Sequence, residues 1–261
     1  MNMQLKTLIT FISLFLFSGL FTQAVIHEKV SRTFKSSDGR EVTATLEGYN
    51  PIAKEVTLRM ANGTKHDLPL DRFSEEDQSF ILEWREDYDA SFVRVDFFTN
   101  RIDAGRIVFM LDSSGSMRGD RWDKMVRNMV DVIKRLDTHA QFNIILFGSD
   151  ARVFSPVLMP ADDESKQQAE FWLRSKSPGG GTNLLAAIKA AEPMEKADVY
   201  AILSDGYPAG EPDAIFNAII HNRKVNDRMV RVFGVSYQSS TRGQEFMKML
   251  SGRFDGNYAR R

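Results

Sequence analysis

Four apolar runs separated by segments of helical period constrain this chain more than any other feature. "RIVFML" (106–111), "FNIILF" (142–147), "VYAIL" (199–203) and "VRVFGV" (230–235) lack the polar alternation of a strand with one wet face, so they read as strands covered on both faces. Between them the spacing predicts amphipathic helices. In the first, Trp122, Met125, Val126, Met129, Val130, Ile133 and Leu136 recur at intervals of three and four. Others are expected near Ser165–Leu173, Asn183–Ala191, Asp213–His221 and Arg242–Leu250. Strands joined by helical crossovers imply an α/β fold, a Rossmann-like, doubly wound and mainly parallel sheet flanked by helices. The Met and Trp stripe of the first helix is then core. "FVRVDFF" (92–98) alternates and is expected as a further strand, and Asn257–Arg260 as a short last one.

Upstream the texture changes. Val42–Leu46 and Val56–Met60 read as short half-polar strands between "SDG", "YNP" and "ANGT", the residues of tight β connections. "DRFSEEDQSFILEWRE" then takes a helical period, with Ser74 as N-cap, Asp77 three residues on, and Phe80, Ile81 and Trp84 on one face. A small β-barrel closed by a helix is expected. "REDYDA" (85–90) is charged, lacks apolar periodicity and reads as a linker.

The first 24 residues pair one Lys in "MNMQLK" with the apolar "TLITFISLFLFSGLF" and a small-residue end at Ala24, the pattern of a secretory signal. Its apolar run is interrupted by Ser13, Ser18 and Gly19 and is short for a span, so cleavage after Ala24 is preferred to an uncleaved anchor. Export to the periplasm or the medium follows, with membrane contact only through this segment. The chain has no cysteine, which excludes disulfides and a lipid-bearing cysteine. The expected organisation is 1–24 signal peptide, 25–84 small β domain, 85–90 linker and 91–261 α/β domain. With 34 basic and 35 acidic side chains in no long single-sign run, there is no excess to neutralise phosphates, so no nucleic acid is expected as a partner.

In open α/β sheets ligands sit beyond the carboxyl ends of the strands. Asp112 follows the first parallel strand in "LDSSGS", Asp205 follows another in "LSDG", and "SPGGGTN" sets Thr182 behind three glycines and before a helix. Two carboxylates with Ser and Thr hydroxyls, and no nearby Cys or His, form a hard-oxygen set suited to Mg2+, Mn2+ or Ca2+ rather than zinc. Asp112, Ser114 and Ser116 alternate, which in an extended turn directs their side chains to one side.

"DSSGS", Thr182 in "GGGTN" and Asp205 in "LSDG" together resemble the metal-ion-dependent adhesion site of the von Willebrand factor A family, D-x-S-x-S followed by a Thr and an Asp. The resemblance extends over residues 91–261. It implies metal ligation by Asp112, Ser114, Ser116, Thr182 and Asp205, with the hydroxyls coordinating directly and the acids mostly through water. A cation so weakly neutralised attracts an anionic oxygen, so the implied partner is a protein offering an Asp or Glu carboxylate, with Mg2+ first among the cations and Mn2+ or Ca2+ also suited. No enzymatic activity is expected. Residues 31–84, with "ANG", "LPL" and "FSEEDQSFI", resemble the Sla-type homology domain, an SH3-like module associated with binding short peptides. After the helix ending near Leu250 too few residues remain for the final helix that moves in integrin-type members, so that switch is not expected.

Two other readings fit parts of the pattern. A phosphatase of the haloacid dehalogenase type also places an Asp after its first strand, but needs an acid where this chain has Ser114, and its lysine could be mimicked only by Lys189. A scaffold could instead keep a purely structural metal while the N-terminal module binds peptides.

Overall fold

The computed structural model describes residues 31–261 apart from Ile52 and Phe92, so the expected signal segment lies outside the described residues. The chain begins with an antiparallel meander, β1 (Ser31–Lys35), β2 (Glu41–Asn50), β3 (Glu55–Met60) and β4 (Lys65–Pro69), paired in that order. Helix α1 (Glu75–Ser91) covers its inner face and buries Ile81 and Trp84 against Phe34, Leu46, Val56, Leu58 and Phe73. Ser74 caps α1 as expected: its hydroxyl accepts from the Asp77 amide at 3.3 Å, and Asp77 Oδ2 accepts from the Lys35 amide at 2.7 Å, tying helix to sheet. The expected barrel is, in its pairing, an open sheet with β1 and β4 at the edges, and the helix covers what further strands would otherwise close.

Residues 85–90, expected as a linker, lie within helix α1. Arg85 Nε donates to Asp89 Oδ2 one turn on at 2.7 Å, and its Nη1 to the Tyr49 carbonyl at 3.1 Å. Asp87 pairs with Arg106, which is buried. Ion pairs hold this stretch, so apolar periodicity has nothing to register there.

A hairpin, β5 (Arg94–Phe97) and β6 (Asn100–Asp103), follows as a separate two-stranded sheet. Then come β7 (Arg106–Asp112), α2 (Asp120–Lys134), β8 (Gln141–Phe147), β9 (Ala151–Val153), β10 (Met159–Pro160), α3 (Asp163–Arg174), α4 (Leu184–Ala190), β11 (Val199–Ser204), α5 (Pro212–Val225), β12 (Arg231–Ser236), α6 (Thr241–Arg253) and β13 (Tyr258–Arg260). The sheet runs β10-β8-β7-β11-β12-β13, with β9 also on β8; the pairs from β8 to β13 are parallel, and β9 and β10 are antiparallel edges.

Alternate residues of β7 serve opposite faces. Ile107, Phe109 and Leu111 pack under α2, α3 and the hairpin, while Val108 and Met110 pack under α4, α5 and α6. All five are fully buried, each contributing roughly 1.5–3 kcal/mol by burial, which is why the run reads as continuously apolar. The chain leaves β7 for β8 on one side and returns to β11 on the other. The carboxyl ends of β7 and β11 therefore flank the crevice where strand order reverses. Among the described residues no helix is long and apolar enough to cross a membrane.

Candidate metal centre

Asp112 is the last residue of β7 and is fully buried. Both its oxygens are engaged: Oδ1 accepts from the Ser114 amide at 2.8 Å, and Oδ2 from the Ser204 hydroxyl at 2.6 Å. Burial pushes its carboxyl above the ordinary range, the bonds from Ser114 and Ser204 oppose that, and the neighbouring Asp205 charge adds to it.

Beyond Ser114 the chain makes a single 3-10 turn, Gly115–Met117, where an extended turn was expected. The turn still brings the two hydroxyls together, with Ser114 Oγ 2.9 Å from Ser116 Oγ. Ser116 Oγ donates to Asp205 Oδ1 at 2.8 Å, crossing from the β7 loop to the β11 loop. Asp112, Ser114, Ser116 and Asp205 thus form one hydrogen-bonded chain, with the carboxylates at its two ends almost shut off from water and the Ser116 link between them exposed.

Thr182 reaches the same edge through its backbone. The glycine loop is pinned to the β7 loop by Gly179 N–H to Ser113 O at 2.7 Å and Gly115 N–H to Gly180 O at 3.0 Å. Gly180 lies at φ 83°, the left-handed region that glycine enters without steric cost. Asn183 then caps α4, its Oδ1 accepting from the Ala186 amide at 3.1 Å, and the Thr182 carbonyl accepts from the Ala209 amide of the β11 loop at 2.8 Å.

Two participants were not foreseen from sequence. Ser204 orients Asp112, and its only sequence signal is that it precedes Asp205 at a strand end. Arg121, in the first turn of α2, places Nη1 2.9 Å from Asp205 Oδ2. A charged residue there reads as an ordinary solvated helix face, and nothing local reveals its partner.

Among the described residues no cluster of three or more His, Cys, Asp or Glu side chains is placed to hold a metal. A cation here would rely on two carboxylates, neutral hydroxyls and water, a hard donor set that fits Mg2+, Mn2+ or Ca2+. The Arg121 guanidinium supplies the positive charge that now faces Asp205.

Among relatives, the inter-alpha-trypsin inhibitor heavy chain H4 of Bos taurus is 32% identical over 101 residues, 38% of this chain but only 11% of that protein. Among solved structures, a von Willebrand factor type A protein from Catenulispora acidiphila has a TM-score of 0.49 at 21% identity, covering 60% of this chain and 38% of that one. A mussel byssus proximal thread matrix protein 1 with a zinc-occupied MIDAS motif has a TM-score of 0.46 at 18% identity, covering 59% of this chain and 41% of that one. The sequence model of the von Willebrand factor type A domain matches residues 105–259, more than half of the chain and the part that builds the parallel sheet, so the chain belongs to the von Willebrand factor type A domain family.

Proposed function

We propose that the chain is a non-enzymatic binding protein that engages a protein partner through a divalent cation held by Asp112, Ser114, Ser116, Thr182 and Asp205, the partner supplying an Asp or Glu carboxylate. The observation that carries the reading is the hydrogen-bonded chain from Asp112 through Ser114 and Ser116 to Asp205, which unites oxygen donors from two loops around two buried carboxylates. Mg2+ is the preferred ion, with Mn2+ and Ca2+ as substitutes. With the neutral hydroxyls coordinating directly and the two carboxylates acting mostly through water, the cation keeps an attraction for an anionic oxygen from outside, which completes its shell.

Binding is favoured over hydrolysis because Ser114 stands where a phosphatase of the expected type needs an acid, and the described histidines have their contacts elsewhere, His66 with Thr64, His139 with Asp137 and His221 with Glu192. The proposal extends to an exported protein whose residues 1–24 are a signal peptide and whose sheet β1–β4 with α1 is a Sla-type, SH3-like module.

The test is thermal unfolding of the chain in EDTA and then in Mg2+, Mn2+ or Ca2+, beside Thr182→Ala and Asp112→Ala. A cation at about 100 times its dissociation constant adds roughly 2.7 kcal/mol, a rise of about 5–10 °C for a domain of this size. Wild type should show that rise and both variants should lose it. No rise with any of the three ions would sink the reading.

A further inference from the structure

We propose that Arg121 is a built-in counter-ion that competes with the divalent cation for Asp205 and so sets the cation concentration at which the site loads, an inference that rests on the metal-binding reading above. The Asp205 side chain is fully buried, and its oxygens are divided between two donors: Ser116 Oγ on Oδ1 at 2.8 Å and Arg121 Nη1 on Oδ2 at 2.9 Å. Arg121 belongs to none of the three loops that supply the oxygen donors. It reaches in from the first turn of α2 and is held from outside by Gln238, whose Oε1 accepts from Arg121 Nε at 3.0 Å. Gln238 follows β12 in the left-handed region at φ 52°, and its amide donates to the Arg261 carbonyl at 2.8 Å, which fixes where that acceptor stands.

Charge decides what this clamp does. Asp112 and Asp205 bring two negative charges into a nearly dry site, and Arg121 offsets one of them. An unpaired buried carboxylate destabilises a fold, so Arg121 supports the cation-free protein. A dication binding at Asp205 meets that guanidinium as a like charge within a few ångströms. Like charges at such range shift a neighbour's binding equilibrium by a factor of roughly ten or more. With its side chain 39% exposed, Arg121 can swing into water without disturbing the core.

Opposite signs follow for one substitution. Arg121→Gln should lower the melting temperature in EDTA, because Asp205 loses its counter-charge, and should tighten Mg2+ binding about tenfold, because the competitor is gone. A merely structural arginine would lower the melting temperature equally in EDTA and in saturating Mg2+, with unchanged affinity.

The experiment uses the full chain, titrated calorimetrically with MgCl2 and melted in EDTA and in saturating Mg2+. It compares wild type with Arg121→Gln and Gln238→Asn. The second variant keeps the guanidinium, tolerates the left-handed backbone and withdraws only the outer anchor, so a smaller tightening is expected; it also serves if Arg121→Gln does not fold. Equal or weaker Mg2+ affinity in the variants overturns this inference alone. Failure of the wild-type chain to bind Mg2+ overturns it together with the reading on which it rests.

Discussion

Gly180→Ala tests whether the glycine loop is truly fixed against the β7 loop. Gly180 lies at φ 83°, and an added Cβ would stand 2.6 Å from Ser149 Oγ and 2.9 Å from the Ser149 amide nitrogen. The hydroxyl could rotate away, at the loss of the 3.1 Å bond it accepts from Gly181 N–H, but the amide nitrogen cannot. The left-handed backbone costs alanine about 1 kcal/mol, and straining the Gly115–Gly180 and Gly179–Ser113 bonds costs a similar amount each. A loss of about 2–3 kcal/mol in urea unfolding is expected, with an unchanged m-value and Mg2+ affinity weakened about tenfold as Thr182 moves. Gly210→Ala is the control, since Gly210 lies at φ 89° with no heavy atom near the added Cβ. It isolates the backbone cost, about 1 kcal/mol. Ser149→Ala in the Gly180→Ala background should recover only part of the loss, because the backbone contact persists. If Gly180→Ala unfolds and binds Mg2+ like the Gly210→Ala control, the loop is not held as argued.

Asp87→Ala should destabilise by about 2 kcal/mol in urea unfolding, below the 3–5 of a fully buried pair because the Asp87 side chain is 24% exposed while Arg106 is 2% exposed. An unchanged midpoint would mean that Arg106 finds other partners. Burial pushes the Tyr200 phenol up to about 12, only partly opposed by the hydrogen bond from Asn222. The neutral phenol is therefore favoured by folding. Its contribution is complete below the unfolded value near pH 10 and is lost as pH rises through about 12. The phenolate absorbance lost on Tyr200→Phe should be that of a late-ionising phenol; if the lost absorbance belongs to a phenol ionising near pH 10 while the fold persists, the burial argument fails.

The strands of the main sheet were legible because burial on both faces leaves an unbroken apolar run, as at Ile107–Leu111. The helices were legible because one apolar stripe recurs at helical spacing, as at Trp122–Ile133. Elements held by other forces were not. The half-buried β9 and the two-residue β10 are too short to carry a period, and α1 beyond Trp84 is held by ion pairs. At the site, the oxygen-bearing residues stood out because hydroxyls and an acid at the end of a buried strand have no packing purpose. Arg121 did not, because its partner lies 84 residues away and a charge in the first turn of a helix is ordinary.

The strand β7 links two charged clusters at its opposite ends. Arg106 opens it and meets Asp87 of α1, while Asp112 closes it and enters the candidate metal site. The residues between are buried on both faces and hydrogen-bonded to β8 and β11 in regular parallel register, over roughly 20 Å of strand. The observed register gives this strand one arrangement, and a claim of coupling between distant sites rests on an element with two. Clusters this far apart with no shared partner should act additively. Asp87→Ala and Thr182→Ala should therefore sum in stability, and Asp87→Ala should leave Mg2+ affinity unchanged. Contact between α1 and the sheet then steadies the chain without tuning the site, and any adjustment of cation affinity falls to groups that touch the site itself, Arg121 first among them.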